Sequence, residues 1–349
     1  MTNKQLIQKL NTENVLTKDE FVFLLSSYSQ KDAEYAQQLA QEISKKHFGN
    51  KIFIRGLIEF TNICRQNCYY CGLRAENKNV SRYRLTKDDI LECCREGYPL
   101  GFRTFVLQGG EDSYFDDELV CDIVKSIKKE FPDCAVTLSI GEKSRDTYQK
   151  FFDAGADRYL LRHETANECH YKKLHPVYLS LENRKKCLFD LKDIGYQVGT
   201  GFMVGSPFQT EENLAEDMCF IKELSPHMVG IGPFIPHAAT PFKAYSAGTL
   251  ELTLFMLGLI RLTLPNALIP ATTALATLSP EGRSLGLKAG ANVIMPNLSP
   301  KALRKLYSLY DGKAHTNEEA AEGLLKLKKQ VHDAGYEIVI NKGDYIERR

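Results

Sequence analysis

Short apolar runs alternate with longer amphipathic segments along most of this chain, and this alternation constrains the fold more than any other feature. Strands that alternate with helices predict βα units and a parallel sheet. Four of the intervening segments close at a glycine just before the next strand, at Gly101, Gly155, Gly195 and Gly290. The predicted strands span residues 51–60, 103–108, 135–140, 158–164, 197–205, 227–235, 267–273 and 292–297.

Eight such units predict an α/β fold, a closed (βα)8 barrel of the TIM type, with functional residues at the C-terminal ends of the strands. A chain of 349 residues that is 43% hydrophobic is long enough for one domain of this size. We expect residues 1–49 to form an N-terminal helical extension and residues 50–312 to form the barrel. Residues 313–349 should add a helix and a final short strand that pack on the barrel.

The balance of basic and acidic residues argues against a nucleic-acid partner. Lys and Arg number 45 and Asp and Glu number 44, a net charge of +1, which gives no reason to expect a nucleic-acid partner.

The first residues lack the apolar run and cleavage site of a signal peptide, and no segment approaches the ~20 apolar residues that span a bilayer. The sequence therefore predicts a soluble, cytoplasmic protein without a membrane partner.

Ten cysteines in a chain of this length are too sparse for a disulfide scaffold, so their spacing must indicate their role. Cys64, Cys68 and Cys71 form a tight group just after the first predicted strand, with Gly72 next. Five others fall in helical patterns and are expected to be small buried hydrophobic residues: Cys93, Cys94, Cys121, Cys187 and Cys219.

The spacing C-x3-C-x2-C predicts one [4Fe-4S] cluster with an open iron. Cys64, Cys68 and Cys71 would ligate three irons, whereas an ordinary electron-transfer cluster takes four cysteines. The open iron can be chelated by S-adenosylmethionine, which the reduced cluster then cleaves to a 5'-deoxyadenosyl radical. A zinc site is the alternative, although zinc sites usually show paired Cys or His groups and no second pair occurs here.

Two further tracts place polar residues where predicted strands end. Gly109, Gly110 and Glu111 follow the second strand, where the glycines would let a backbone approach a ligand and the carboxylate would meet an ammonium. A tight turn is the simpler interpretation of the glycine pair. Arg162 and Glu164 end the fourth strand, where Arg would clamp a carboxylate and Glu would accept from ribose hydroxyls. An internal salt bridge is the alternative.

Candidate substrate-binding residues end other strands. Thr137 belongs to the third, Thr272 and Thr273 to the seventh, and Met295 to the eighth, although Met295 suits core packing equally well. These side chains predict a mostly uncharged pocket for a small ligand inside the barrel.

Several tracts together resemble a known family, the FeFe-hydrogenase maturases of the HydE type, in the biotin synthase-like branch of radical S-adenosylmethionine enzymes. The resemblance covers about residues 50 to 312. The tracts are IEFTNICRQNCYYCGLR, VLQGGED, DRYLLRHETAN, VGIGPFIPH, IPATTA and GANVIMPN.

The resemblance implies a (βα)8 barrel that acts on a cysteine-bound iron carbonyl cyanide complex. It implies that Cys64, Cys68 and Cys71 bind the cluster. It implies transient contact with the maturases HydG and HydF and an electron donor such as a ferredoxin or flavodoxin. Carried over residue by residue, Tyr70, Arg162, Glu164 and Arg184 help hold S-adenosylmethionine, and Thr137, Thr272, Thr273, Met295 and Tyr310 line the substrate cavity.

Two departures from the family pattern stand out. No cysteine follows Cys219, so a second cluster on C-terminal cysteines, as some members have, is not expected. Gly109 stands where many members have Ser, which removes a hydroxyl near the cofactor. The alternatives are another enzyme of the same branch, such as methylornithine synthase with an amino-acid-derived substrate, and a non-catalytic iron-sulfur carrier.

Overall fold

Three helices precede the first strand in the computed structural model, which describes residues 1–314 and 320–347. Each begins with a capping box, in which the side chains of the capping residue and of the third helical residue satisfy each other's backbone N–H groups. The capping residues are Thr2, Thr17 and Ser29. The helices are α1 (Asn3–Glu13), α2 (Lys18–Ser27) and α3 (Gln30–Phe48).

Strands and helices then alternate, as the sequence predicts. The strands are β1 (Lys51–Ile54), β2 (Gly56–Thr61), β3 (Thr104–Gly109), β4 (Ala135–Ser139), β5 (Arg158–Leu160), β6 (Gln197–Thr200), β7 (Met203–Val204), β8 (Met228–Val229), β9 (Gly232–Pro233), β10 (Val293–Ile294) and β11 (Glu337–Val339). The helices are α4 (Lys87–Gly97), α5 (Asp117–Glu130), α6 (Arg145–Asp153), α7 (Glu168–Leu174), α8 (Leu181–Ile194), α9 (Glu211–Leu224), α10 (Leu250–Thr263), α11 (Thr273–Leu278), α12 (Gly282–Lys288), α13 (Lys301–Arg304) and α14 (Ala320–Asp333).

The main sheet is parallel throughout and has six strands in the order β2-β3-β4-β5-β6-β8. A second parallel sheet has the order β10-β1-β11, and β7 pairs with β9. Isolated parallel bridges extend these sheets and join Met228 to Leu268, Pro270 to Val293, and Leu57 to Asn297. The predicted parallel α/β architecture is therefore confirmed.

Several predicted strands are shorter than the sequence suggests. The first breaks at Arg55, where the chain leaves the sheet of β1 and joins that of β2. The predicted strands 197–205 and 227–235 are each split into two short strands. The prediction of a strand at 267–273 is wrong, since only Leu268 and Pro270 make bridges and α11 already begins at Thr273.

The main sheet separates two environments because side chains alternate along a strand. Ile58 and Phe60 of β2 join the large hydrophobic core that also includes apolar residues of the helices. Leu57 and Glu59 therefore point to the opposite side, which we call the inner face. The inner face carries polar side chains on neighbouring strands, because Gln108 lies level with Glu59 in the register of β3.

The C-terminal tail closes the end of the sheet where the strands begin. The fully buried guanidinium of Arg158 on β5 is 2.5 Å from the carboxylate of Asp344 and donates to the Lys342 carbonyl at 2.9 Å. Thr104 of β3 donates to the same carbonyl at 2.8 Å. The tail thus binds the first residues of two strands of the main sheet.

The five cysteines that were predicted to lie in helices do so, but not all of them are buried. Cys93, Cys94 and Cys187 are buried, whereas Cys121 and Cys219 are partly exposed, contrary to the prediction. Within the described residues, no helix is both long and apolar enough to cross a membrane.

Candidate active site

The three clustered cysteines lie on residues 62–82, which we call the cysteine loop, directly after β2. Cys64 Sγ accepts hydrogen bonds from two backbone amides, Gln66 N and Glu111 N, each at 3.4 Å. Such amides favour the thiolate form that binds metal. All three thiols therefore lie at the C-terminal end of the main sheet, where a (βα)8 barrel is expected to carry its functional residues.

Arg82 holds the cysteine loop in its folded form. Its guanidinium donates to the Leu73 carbonyl at 2.9 Å, to the Arg74 carbonyl at 2.8 Å and to the Asn77 carbonyl at 3.1 Å. Directly after Cys71, Gly72 N donates to the Leu309 carbonyl at 2.9 Å. The loop is thus anchored to itself and to a segment far along the chain.

Burial raises the pKa of all three thiols, including that of Cys64 despite its two amide contacts. It raises the pKa of Cys71 to about 12, with Cys64 adding to the effect, and it raises the pKa of Cys68 even further. Metal coordination would release these protons, because the thiolate is the ligand. Across residues 1–314 and 320–347, no three His, Cys, Asp or Glu side chains are grouped as a single metal ion requires.

Close packing explains both glycines at the end of β3, against the cysteine loop for Gly110 and against β2 for Gly109. A Cβ atom on Gly110 would lie 2.2 Å from the Ile63 carbonyl oxygen and 2.7 Å from Cys64 Cβ, so no larger residue fits there. A Cβ on Gly109 would lie 2.8 Å from the Thr61 methyl group. The methyl group therefore lies where a serine at position 109 would begin its side chain.

Glu111 follows the glycines and is 7% exposed. Its carboxylate accepts from Gln66 Nε2 at 2.7 Å and pairs with Arg65 Nε at 3.1 Å. Both partners belong to the cysteine loop, so the carboxylate of Glu111 fixes that loop to the end of β3. A contact of Glu111 with a ligand ammonium stays a prediction.

Arg162 and Glu164 follow β5 and form an ion pair with a distance of 3.1 Å between Nη2 and Oε2. Glu164 has a φ of 66°, which is unusual for a residue with a side chain. Its backbone is fixed by Gly201, whose carbonyl accepts from Glu164 N at 3.0 Å. Strained backbone held by its neighbours is common at functional sites.

Arg184 lies on α8 and links two loops. Its Nε pairs with Glu142, and Nη1 donates to the Arg162 carbonyl at 2.7 Å. Burial alone would lower its pKa, but the pKa is raised overall because Tyr171 and Glu142 favour the charged form. Arg184 therefore stays charged and positions the backbone of Arg162.

Tyr70, between the last two clustered cysteines, packs edge-on against His175 with ring centroids 5.4 Å apart. His175 Nδ1 lies 3.1 Å from the Tyr171 carbonyl and must carry the proton there, so Nε2 accepts from the Tyr70 hydroxyl at 3.1 Å. Burial lowers the pKa of His175 to about 3, which keeps the ring neutral. The pairing of Tyr70 with His175 was not predicted.

The predicted substrate residues are spread over four elements. Thr137 lies on β4, Met295 follows β10, and Tyr310 lies beyond α13. Thr272 and Thr273 do not end a strand, because Thr272 caps α11 and Thr273 is its first residue. Among the described residues, the buried hydroxyl oxygens of Thr137 and Thr272 have no hydrogen-bond partner. Unpaired buried hydroxyls suit a polar ligand.

Two buried pairs were missed by the sequence analysis. His163 directly precedes Glu164 in the chain. Its Nε2 atom lies 3.3 Å from the carboxylate of Asp217 on α9. Glu59 of the inner face pairs with Lys313. The partners are far apart in sequence, so no local pattern could have indicated them.

Comparison with known proteins identifies the family of this chain. Residues 58–221 match the family model of the radical SAM superfamily. The chain is 49% identical over 313 residues to the [FeFe] hydrogenase maturase subunit HydE of Thermotoga maritima, covering 90% of this chain and 89% of that protein. This chain belongs to the HydE family of radical S-adenosylmethionine enzymes.

More distant relatives share the fold. A 3-methylornithine synthase of Methanosarcina acetivorans is 26% identical over 92% of this chain and 94% of that protein. The crystal structure of methylornithine synthase matches with a TM-score of 0.84 over 96% of this chain and 97% of that chain, at 26% identity. The maturase HydG matches with a TM-score of 0.82 at 18% identity, over 97% of this chain and 76% of that chain. The fold is thus TIM-barrel-like.

Membership in this family implies an iron-sulfur cluster and S-adenosylmethionine, and the residues present fit both. Three thiols on one loop match the donor set of a cubane cluster with an open iron. Within the described chain, Arg162 Nε is buried with no hydrogen-bond partner, and so are the Thr137 and Thr272 hydroxyls. The site therefore offers polar atoms for a ligand that carries carboxylate and hydroxyl groups.

Proposed function

We propose that this chain binds one [4Fe-4S] cluster through Cys64, Cys68 and Cys71 and uses it with S-adenosylmethionine for hydrogenase maturation. When bound, the reduced cluster supplies the electron that cleaves S-adenosylmethionine to a 5'-deoxyadenosyl radical. The observation that carries the proposal is the position of the three thiols against Gly110 and Glu111 at the end of β3, in a chain 49% identical to a HydE.

The chain's own residues hold and orient S-adenosylmethionine in this proposal. Arg162 presents its unpaired Nε to the methionine carboxylate, and Glu164 accepts from the ribose hydroxyls. Tyr70 and Arg184 support this surface, because the first lies beside the cysteines and the second fixes the Arg162 backbone. Gly109, Gly110 and Glu111 complete the side of the site that faces the methionine amino group.

The proposed substrate is a cysteine-bound iron carbonyl cyanide complex, enclosed by Thr137, Thr272, Thr273, Met295 and Tyr310. Hydroxyl donors suit cyanide and carbonyl ligands, which accept hydrogen bonds without needing a full counter-charge. HydG and HydF are the proposed transient partners, and a ferredoxin or flavodoxin is the proposed electron donor.

We further propose that the parallel bridges at Leu268, Pro270 and Asn297 complete a closed eight-unit barrel over residues 50–312. Residues 1–49 and the described part of residues 313–349 would then be extensions packed on it, while residues 315–319 and 348–349 lie outside the described residues. Closure is supported by the backbone bonds from Leu57 N to Pro296 O at 2.8 Å and from Ala271 N to Val293 O at 2.9 Å. An enclosed space of this kind excludes water from a radical reaction.

The test uses anaerobically reconstituted protein, reduced with dithionite and supplied with S-adenosylmethionine. We expect about four irons per chain and release of 5'-deoxyadenosine. Arg162→Ala should weaken S-adenosylmethionine binding about tenfold or more with unchanged iron content, because a charge-assisted contact is lost. Arg145→Ala, which removes a surface arginine paired with Asp190, is the matched control. A protein that binds iron but makes no 5'-deoxyadenosine would be a carrier.

Methylornithine synthase is the second candidate, because relatives with that name share the fold over nearly the whole chain. The two candidates differ in substrate. We expect the reduced enzyme to consume the cysteine-bound iron complex and to leave lysine unchanged. Conversion of lysine to methylornithine, with the iron complex inert, would reject the maturase assignment and retain the radical chemistry.

A further inference from the structure

A buried carboxylate lies on the inner face of β2. Glu59 is 1% exposed, since strand alternation turns it away from the core that its neighbours Ile58 and Phe60 join. In register it lies opposite Gln108, one residue before β3 ends at Gly109. The carboxylate is therefore at the end of the sheet that carries the candidate site.

The ammonium that neutralises Glu59 comes from 254 residues further along the chain. Lys313 Nζ pairs with Glu59 Oε1, and Asn297 Nδ2 donates to Oε2 at 2.8 Å. The Lys313 side chain is 11% exposed and also donates to the Tyr307 carbonyl at 3.1 Å. Both carboxylate oxygens and the ammonium thus have partners within the protein.

Lys313 ends residues 306–313, a segment we call the strap, which binds the cysteine loop. The Leu306 carbonyl accepts from Asn62 Nδ2 at 2.8 Å, and the Leu309 carbonyl accepts from Gly72 N at 2.9 Å. Tyr310, a predicted substrate residue, lies on the same strap, where burial raises its pKa to about 12 and the charge of Glu59 adds to the effect. The ion pair therefore lies in electrostatic range of a predicted substrate residue.

We propose that Lys313 determines specificity by filling, with its own ammonium, the position beside Glu59 that an alkylammonium substrate would otherwise take. The inference rests on the proposed function and deepens it, because it names the class of substrate that this site rejects. An amino acid with a side-chain ammonium needs a carboxylate partner when it leaves water. Here that carboxylate already has one, so the inner face offers a neutral surface that suits an uncharged complex.

Lys313→Ala should convert this surface into an ammonium site. The substitution removes the side-chain atoms beyond Cβ together with the charge. Glu59 then stays buried beside the space that the lysine side chain had filled. The probe is butylammonium, with butanol as the neutral molecule of similar size. In thermal unfolding of the full-length chain with its cluster reconstituted, butylammonium should raise the Tm of Lys313→Ala in a saturable way. Its affinity for this variant should exceed that for the native chain about tenfold or more.

Two further variants test whether the charge is responsible. Lys305→Ala removes an exposed lysine just before the strap and should not respond to butylammonium. Lys313→Ala combined with Glu59→Gln keeps the space but removes the carboxylate, so the response should disappear. Equal responses of the single and double variants, or of Lys313→Ala and Lys305→Ala, would overturn the proposal.

If Lys313→Ala does not fold alone, its refolding yield decides the question. Recovery with butylammonium but not with butanol supports the proposal, and no difference between the two overturns it. Because these measurements do not depend on turnover, they are independent of the proposed function. A chain that makes no 5'-deoxyadenosine would reject the maturase function and leave this result unaffected.

Discussion

Asp344→Asn is expected to destabilise the protein more than the loss of an ordinary surface ion pair. The guanidinium of Arg158 is 0% exposed, and Asp344 is the carboxylate that neutralises it, at 2.5 Å. Removing the partner of a buried charge costs about 3 to 5 kcal/mol. Asp344 is itself 44% exposed, and Arg158 keeps the Lys342 carbonyl and the Thr104 hydroxyl, so we discount this to about 2 kcal/mol.

The assay is urea unfolding of the cluster-free chain at pH 7, compared with Glu168→Gln. Glu168 is in an exposed pair with Lys172, whose side chains are 50% and 66% exposed, so its loss should cost less than about 0.5 kcal/mol. If Asp344→Asn is no more destabilising than Glu168→Gln, the tail does not depend on Arg158 and the reasoning is refuted.

The pH dependence of this difference gives a second check. Burial raises the pKa of Asp344, but Arg158 and Gln197 outweigh it, so the pKa is lowered overall. A carboxyl group whose pKa is lowered by folding contributes stability above its unfolded pKa of about 3.9, and this stability is lost as the pH falls through the folded value. The native chain and Asp344→Asn should therefore converge in stability below about pH 4.

Two other positions give direct tests. Gly110→Ala should lower the iron content after reconstitution, because its Cβ would lie 2.2 Å from the Ile63 carbonyl oxygen of the cysteine loop. The control Gly230→Ala should bind iron normally, because its Cβ would meet nothing closer than 3.7 Å. Burial raises the pKa of Asp217 and lowers that of His163, and both directions favour a neutral pair. We therefore expect Asp217→Asn to cost only about 1 kcal/mol in thermal unfolding, and a loss above about 3 kcal/mol would indicate a charged pair.

The sequence predicted those parts of the fold that local patterns encode. The strands near 104 and 135 were placed correctly, because continuous apolar runs fill β3 and β4. Gly155 and Gly195 end helices with φ of 107° and 110°, a conformation that glycine adopts without strain. The parallel order then followed from the alternation of these units.

The errors arise where partners, and not propensity, decide the structure. The run at 51–60 is mostly apolar and predicts one strand, yet the chain changes sheets at Arg55. The run at 267–273 has strand-like residues, but α11 already begins at Thr273, so the strand is reduced to bridges at Leu268 and Pro270.

The site shows the same division between local and distant information. The cysteine spacing is local, so the proposed ligand set follows from residues 64–71 alone. The charge of the inner face cannot be predicted from a local pattern. The Glu59 carboxylate is bound by Lys313 and Asn297, both more than 200 positions away. A shared TIM-barrel-like fold therefore leaves the substrate class undetermined among radical enzymes. Within one such fold, a single lysine on the strap decides whether the inner face presents a free carboxylate or a neutral ion pair.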